Sequence, residues 1–198
     1  MSASIPNAEA ELFVANSFDP SFCPRNEAAD FGQTPVEYCK SRGLVETNAY
    51  QQLSIFQGRH LPKFYGRYRY PTGSGEATAI LLQYILDPPL VEYALNPLFN
   101  HRDPLSETEL LQIFDVGAAA LDEIHSQQVY HYDIQSSILY WNSNTRALRI
   151  ADWEFSHFDG PDFDSEALAR SDWMHLPSTL EVCAFRDLNQ IWQRMQGG

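Results

Sequence analysis

Asp87-Pro88-Pro89 divides the chain into two stretches of different hydrophobic rhythm, because adjacent prolines continue neither a helix nor a central strand. Upstream, Leu12 to Ala15 makes a short strand candidate that stops at Asp19-Pro20, and residues 24–35 read as a loop. From Pro35 to Phe56 the pattern turns helical, with Val45, Ala49, Leu53 and Phe56 at spacings of three and four. Phe64 to Tyr70 and Thr78 to Leu86 are strand candidates, and Pro71 to Gly75 between them is glycine-rich enough to close an antiparallel hairpin.

Downstream, Ser106-Glu107-Thr108-Glu109 fits a capping box, and Leu110, Ile113, Phe114, Gly117, Ala118, Leu121 and Ile124 follow at helical spacing. Ile138 to Trp141 and Ala147 to Ala151 flank Asn142 to Thr145 and predict a second small hairpin. Ser178 to Glu181 offers another capping box, predicting a helix through Ala184, Leu188, Ile191, Trp192 and Met195. The expected class is therefore α+β. Residues 1–86 would form a reduced sheet with one helix and residues 87–198 a helical part, hinged near Tyr84 to Asp87 around a cleft.

Composition removes several function classes. Hydrophobic residues at 44% and charged residues at 20% suit an ordinary globular chain. A formal charge of -13 repels a phosphate backbone, so no nucleic-acid partner is expected. Arg67 and Arg69 alternate with Tyr68 and Tyr70, but a half-exposed strand shows the same alternation without any nucleic acid. Cys23, Cys39 and Cys183 lack metal-ligand or disulfide-framework spacing and suit reduced thiols in the cytoplasm. No apolar run approaches the roughly 18 residues of a membrane span, and no secretory leader pattern opens the chain.

The informative constellation is Leu121-Asp-Glu-Ile-His125, then Val129-Tyr-His131-Tyr-Asp133-Ile134, then Leu148-Arg-Ile150-Ala-Asp152-Trp-Glu154. One carboxylate follows a helix and another follows a hairpin, 19 residues apart. This resembles the protein-kinase-like superfamily, whose catalytic loop reads His-x-Asp and whose metal-binding Asp follows a strand pair about twenty residues later. Upstream, Glu46-x-x-Ala49-Tyr50-x-x-Leu53, Leu61-Pro62-Lys63-Phe64-Tyr65-Gly66 and Leu81-Leu82-Gln83-Tyr84-Ile85 look like the corresponding segments of fungal kinase-like chains. The resemblance covers about residues 12–157.

It implies a two-lobe kinase-like fold with a reduced antiparallel sheet lobe and a truncated helical lobe. It makes Asp133 the base, His131 a brace beneath the catalytic loop, Asp152 the metal ligand and Glu154 a further one. Glu46 becomes the helix carboxylate that normally pairs with a strand lysine, and Gln83, Tyr84 and Ile85 offer backbone groups to an adenine. ATP and magnesium are the cofactors if the chain is active, and none otherwise.

The departures are specific. The first glycine is Gly32, so a glycine-rich phosphate loop is missing before the first strand. Val14-Ala-Asn16-Ser-Phe18 looks like the lysine-bearing strand, yet Asn16 stands at the lysine position and Glu46 is left with no evident partner. Ile138 occupies the position of a magnesium-binding Asn, and 46 residues after Asp152 are few for a full helical lobe. Sequence therefore points to a degenerate kinase-like domain, a pseudokinase or a module binding a small ligand or a protein partner. The alternative is an active ATP- and magnesium-dependent phosphotransferase working through Asp133 and Asp152.

Overall fold

The computed structural model of the protein describes residues 12–23, 25–73, 75–93, 103–160 and 164–181. The expected strand near residue 12 is β1, Phe13–Phe18. The expected loop after it holds a short helix, α1, Arg25–Asp30, six residues that carry no hydrophobic stripe long enough to announce themselves. Helix α2 then runs over Pro35–Gln52. Its start is set by Thr34-Pro35-Val36-Glu37, where the Glu37 amide donates to Thr34 Oγ1 at 3.3 Å and the Thr34 amide donates to Glu37 Oε2 at 2.9 Å. Proline at the first helical position loses no hydrogen bond, so both devices fix one boundary.

β2, Phe64–Thr72, and β3, Gly75–Gln83, form the predicted hairpin, with pairing that runs further into the glycine connector than the sequence suggested. β1 joins the other edge of β3, with Val14 opposite Leu82 and Asn16 opposite Ile80, giving the antiparallel order β1-β3-β2. Helix α2 packs against this sheet at Gly43, where a Cβ would lie 3.0 Å from the Phe18 ring. Glycine permits the close approach.

The prolines at 88 and 89 lead into a single 3-10 turn over Leu90–Tyr93. Helix α3, Glu107–His125, begins at the predicted Ser106 cap and buries Leu110, Ile113, Leu121 and Ile124. β4, Val129–Tyr130, pairs with β7, His157–Phe158, while β5, Leu139–Asn142, and β6, Ala147–Ile150, make the second predicted hairpin.

Helix α4, Ser165–Glu181, corrects the sequence reading of the C-terminal part. Ser178 to Glu181 ends this helix instead of starting one, and the predicted helix from Ala184 to Met195 lies outside the described residues. The true cap is Asp164, whose Oδ1 accepts from the amides of Glu166 and Ala167, both at 3.1 Å.

One continuous apolar core runs from Phe18, Ile80 and Leu82 of the sheet through Leu53, Leu61 and Leu90 to Ile113, Trp141, Leu148 and Leu176. The interlobe segment is pinned as well as packed. The Trp141 amide donates to Pro88 O at 3.1 Å, and Asp87 accepts from Asn142 Nδ2 at 2.6 Å and Arg149 Nη1 at 2.5 Å. The Ile150 amide donates to His60 O at 2.8 Å. Among the described residues no helix is long and apolar enough to cross a membrane.

Candidate functional site

β4 ends at Tyr130, and the next residues turn sharply. His131 is fully buried, and Tyr132 adopts a left-handed backbone with φ 66° that L residues other than Asn and Asp rarely take. Asp172 of α4, itself fully buried, holds the turn: it accepts from the His131 amide at 2.7 Å and from the Tyr132 amide at 2.6 Å. His125, at the end of α3, lies 3.0 Å from the same carboxylate through Nε2. Sequence reasoning missed Asp172 altogether. Its signal is an acid on a buried helical face, between Leu168 and Leu176 at steps of four, which breaks the apolar stripe that pattern reading looks for.

The His131 ring is engaged at both nitrogens. Nε2 lies 3.0 Å from Ala151 O, which can only accept, and Nδ1 accepts from the Asp133 amide at 3.3 Å, so the partners assign the Nε2-protonated neutral tautomer. Its edge meets the buried Trp153 ring at 4.5 Å. One imidazole thus ties the loop of Asp133 to the loop of Asp152.

Asp133 is half-buried and accepts from Gln135 Nε2 at 3.0 Å. Asp152 follows β6 with φ 63°, again left-handed. Burial raises the Asp152 carboxyl above its ordinary range, and the negative charge of Asp133 adds to the rise.

Glu46 corrects one expectation. It is fully buried on the inner face of α2 and does have a partner: Asn16 Nδ2 donates to its Oε2 at 2.8 Å. Asparagine fills the strand position with a neutral donor, and among the described residues no hydrogen bond of good geometry reaches Glu46 Oε1. Burial first, then the charges of Asp152 and Glu154, push the Glu46 carboxyl up to about 8, against weaker pulls from Asn16 and the Trp153 amide. Glu154 is pushed up to about 7 by burial and by Asp152, with Arg42 pulling the other way. Arg42 donates to the Glu154 carbonyl at 3.2 Å while its guanidinium stacks within 4.2–4.9 Å of the Phe31, Tyr38 and Phe155 ring centres.

Gln83, Tyr84 and Ile85 line a cavity of about 440 Å³, together with Val14, Leu82 and Ala151. The amides of Gln83 and Tyr84 are already committed, to Lys63 O at 2.8 Å and Leu12 O at 2.9 Å. Among the described residues no backbone carbonyl takes the Ile85 amide. Ile138 is packed in the core, so the position expected to hold a metal-binding Asn supplies no ligand. Among the described residues no three His, Cys, Asp or Glu side chains are set to hold one metal ion.

Comparison with solved structures identifies the architecture. The Cydia pomonella granulovirus kinase PK-1 superposes with a TM-score of 0.53 at 17% identity, covering 77% of this chain and 48% of that one. A mutant of the Neurospora crassa PAN3 pseudokinase gives 0.54 at 15% identity, with 77% and 40% covered. The PAN3 pseudokinase itself gives 0.53 at 14%, with 74% and 38% covered. The fold is protein-kinase-like. Mixed helices and small antiparallel sheets build the reduced two-lobe form expected from the sequence. The chain spans less than half the length of each of these structures, and they include both a kinase and pseudokinases. No family model and no curated protein matches the sequence.

A nucleoside triphosphate with magnesium is the ligand such a fold implies. The base end fits: an apolar roof at Val14 and Leu82 and an Ile85 amide that no described backbone carbonyl takes suit a flat heterocycle. The phosphate end does not. Asp152 and Glu154 lie near enough to Glu46 to raise its carboxyl, and the side chain that bonds Glu46 is the neutral Asn16 amide, which brings no charge to offset phosphates.

Proposed function

We propose that the protein is a degenerate kinase-like domain, a pseudokinase that binds a small ligand in its cleft or a partner protein, with phosphoryl transfer weak or absent. The observation that carries this is the Asn16–Glu46 hydrogen bond. Stabilising the charge of a transferring phosphoryl group takes fixed cations, and losing one such group typically costs two or more orders of magnitude in rate. Here a neutral amide meets a buried acid that burial itself keeps protonated near neutral pH. The loss of a metal ligand at Ile138 acts in the same direction.

One observation favours the second reading, an ATP- and magnesium-dependent phosphotransferase with Asp133 as base and Asp152 as metal ligand: the His131 ring bonds both the Asp133 amide and the Ala151 carbonyl, which ties together the loops that carry the two carboxylates. A turnover assay with radiolabelled ATP and magnesium, comparing wild type with Asp133→Asn, separates the two. We expect equal, background-level phosphate release from both proteins. Release that falls at least a hundredfold in Asp133→Asn would establish the phosphotransferase instead.

A further inference from the structure

The turn after β1 folds the chain back towards α2. Asp19 closes that turn: its carbonyl accepts from the Phe22 amide at 3.0 Å, and its Oδ1 accepts from the Ser21 amide at 2.8 Å. Cys23 follows and packs against the apolar core that includes Cys39 of α2. The two side chains stand as thiols and are hydrogen-bonded to each other. In sequence 15 residues lie between them with no motif around either, so only the fold makes them a pair. Their surroundings differ. Cys39 is buried and Cys23 half-buried, and burial pushes the Cys39 thiol up to about 12, which makes it the poorer first nucleophile. Cys39 also lines a cavity of about 220 Å³, with Phe18, Thr78 and the exposed Val36, Lys40 and Arg69, so its side chain has room to turn.

We propose that Cys23 and Cys39 form a reversible disulfide in the presence of a hydroperoxide, a modification that fastens the first half of α2 to the segment after β1. The Cys23 sulfur, as thiolate, attacks one peroxide oxygen; the O–O bond breaks, water leaves, and Cys23 becomes a sulfenic acid. The Cys39 sulfur then attacks the Cys23 sulfur, the S–O bond breaks, and the hydroxyl departs with the Cys39 proton as a second water. Two thiols thus pass two electrons to hydrogen peroxide and yield one disulfide and two waters. The sulfurs close from hydrogen-bond contact to about 2.05 Å, a movement that the cavity beside Cys39 accommodates. One turn further along α2, Arg42 donates to the Glu154 carbonyl at 3.2 Å, so the fastened helix also holds the loop that follows Asp152.

The test treats the folded full chain with hydrogen peroxide, blocks remaining thiols with an alkylating reagent and identifies peptides by mass spectrometry without reduction. We expect a cross-linked Cys23–Cys39 peptide that a dithiol reductant removes, and a Tm about 6–12 °C above that of the reduced chain, as for closure of a loop this long. In Cys39→Ser, Cys23 should accumulate as a sulfenic acid captured by dimedone; in Cys23→Ser, Cys39 should stay reduced. A cross-link that forms only in urea, a bond from either cysteine to Cys183, Cys23 carried to the sulfinic acid with Cys39 untouched, or a Tm that does not rise would each overturn the inference.

Discussion

Asn16 Nδ2 and Glu46 Oε2, 2.8 Å apart, show how one side chain resets the chemistry of a cleft. An ammonium at that position would hold Glu46 ionised; an amide leaves burial to win, and the carboxyl rises to about 8 from an ordinary 4.5. Between those values the folded protein keeps a proton that the unfolded chain releases. The contribution of Glu46 to stability is thus complete below pH 4.5, declines as pH rises, and is gone above about 8. Glu154, raised to about 7, acts in the same direction over a narrower window. Glu46→Gln removes one titration while keeping the acceptor for Asn16. Urea unfolding at pH 5.5, 7.0 and 8.5 should show the variant gaining about 3–5 kcal/mol on wild type across that range. Parallel pH profiles would mean that Glu46 titrates normally in the fold.

At the scale of the element, α4 does more than cover the core. Its Asp172 carboxylate satisfies two amides of a turn that contains the strained Tyr132, so helix and catalytic-type loop fold as one unit. Asp172→Ala leaves the buried His131 amide and the part-buried Tyr132 amide without their acceptor and should destabilise the protein by about 3–5 kcal/mol; Asp172→Asn, which retains one acceptor oxygen, should cost less. Amide hydrogen exchange at His131 and Tyr132 is the local readout, with protection lost in the alanine variant first. The element was hard to read in the sequence for the reason it matters. Its buried face carries an acid, and Pro177 lies inside it, so both periodicity and breaker rules argued against a helix there. Helix α3 was legible because a reciprocal cap and an uninterrupted stripe of Leu110, Ile113, Leu121 and Ile124 are local signals.

Across the whole molecule, the sheet and the helices share one core, and the segment between them is fastened through Asp87, Pro88 and His60. Little separates the halves energetically, since Leu53, Leu61 and Leu90 are fully buried where they meet. We therefore expect a single cooperative unfolding transition. The fluorescence of the buried Trp141 and Trp153 and the far-UV circular dichroism should give one midpoint in urea, whereas two separated midpoints would show independently folding halves.

The hairpins, the capped helix α3, the His131-x-Asp133 turn and the Asp152 position were determined by the sequence alone, because each is written in residues a few positions apart. Tertiary structure decided what those residues do. Asn16 finds Glu46 thirty residues away, Asp172 finds His131 at a separation of 41, and the charge of Asp152 raises both Glu46 and Glu154 only because helix and loop are packed into the same space. Local hydrogen-bonding and hydrophobic rhythm leave a trace along the chain. Electrostatic coupling depends on distance and solvent exclusion, which exist only once the chain has folded.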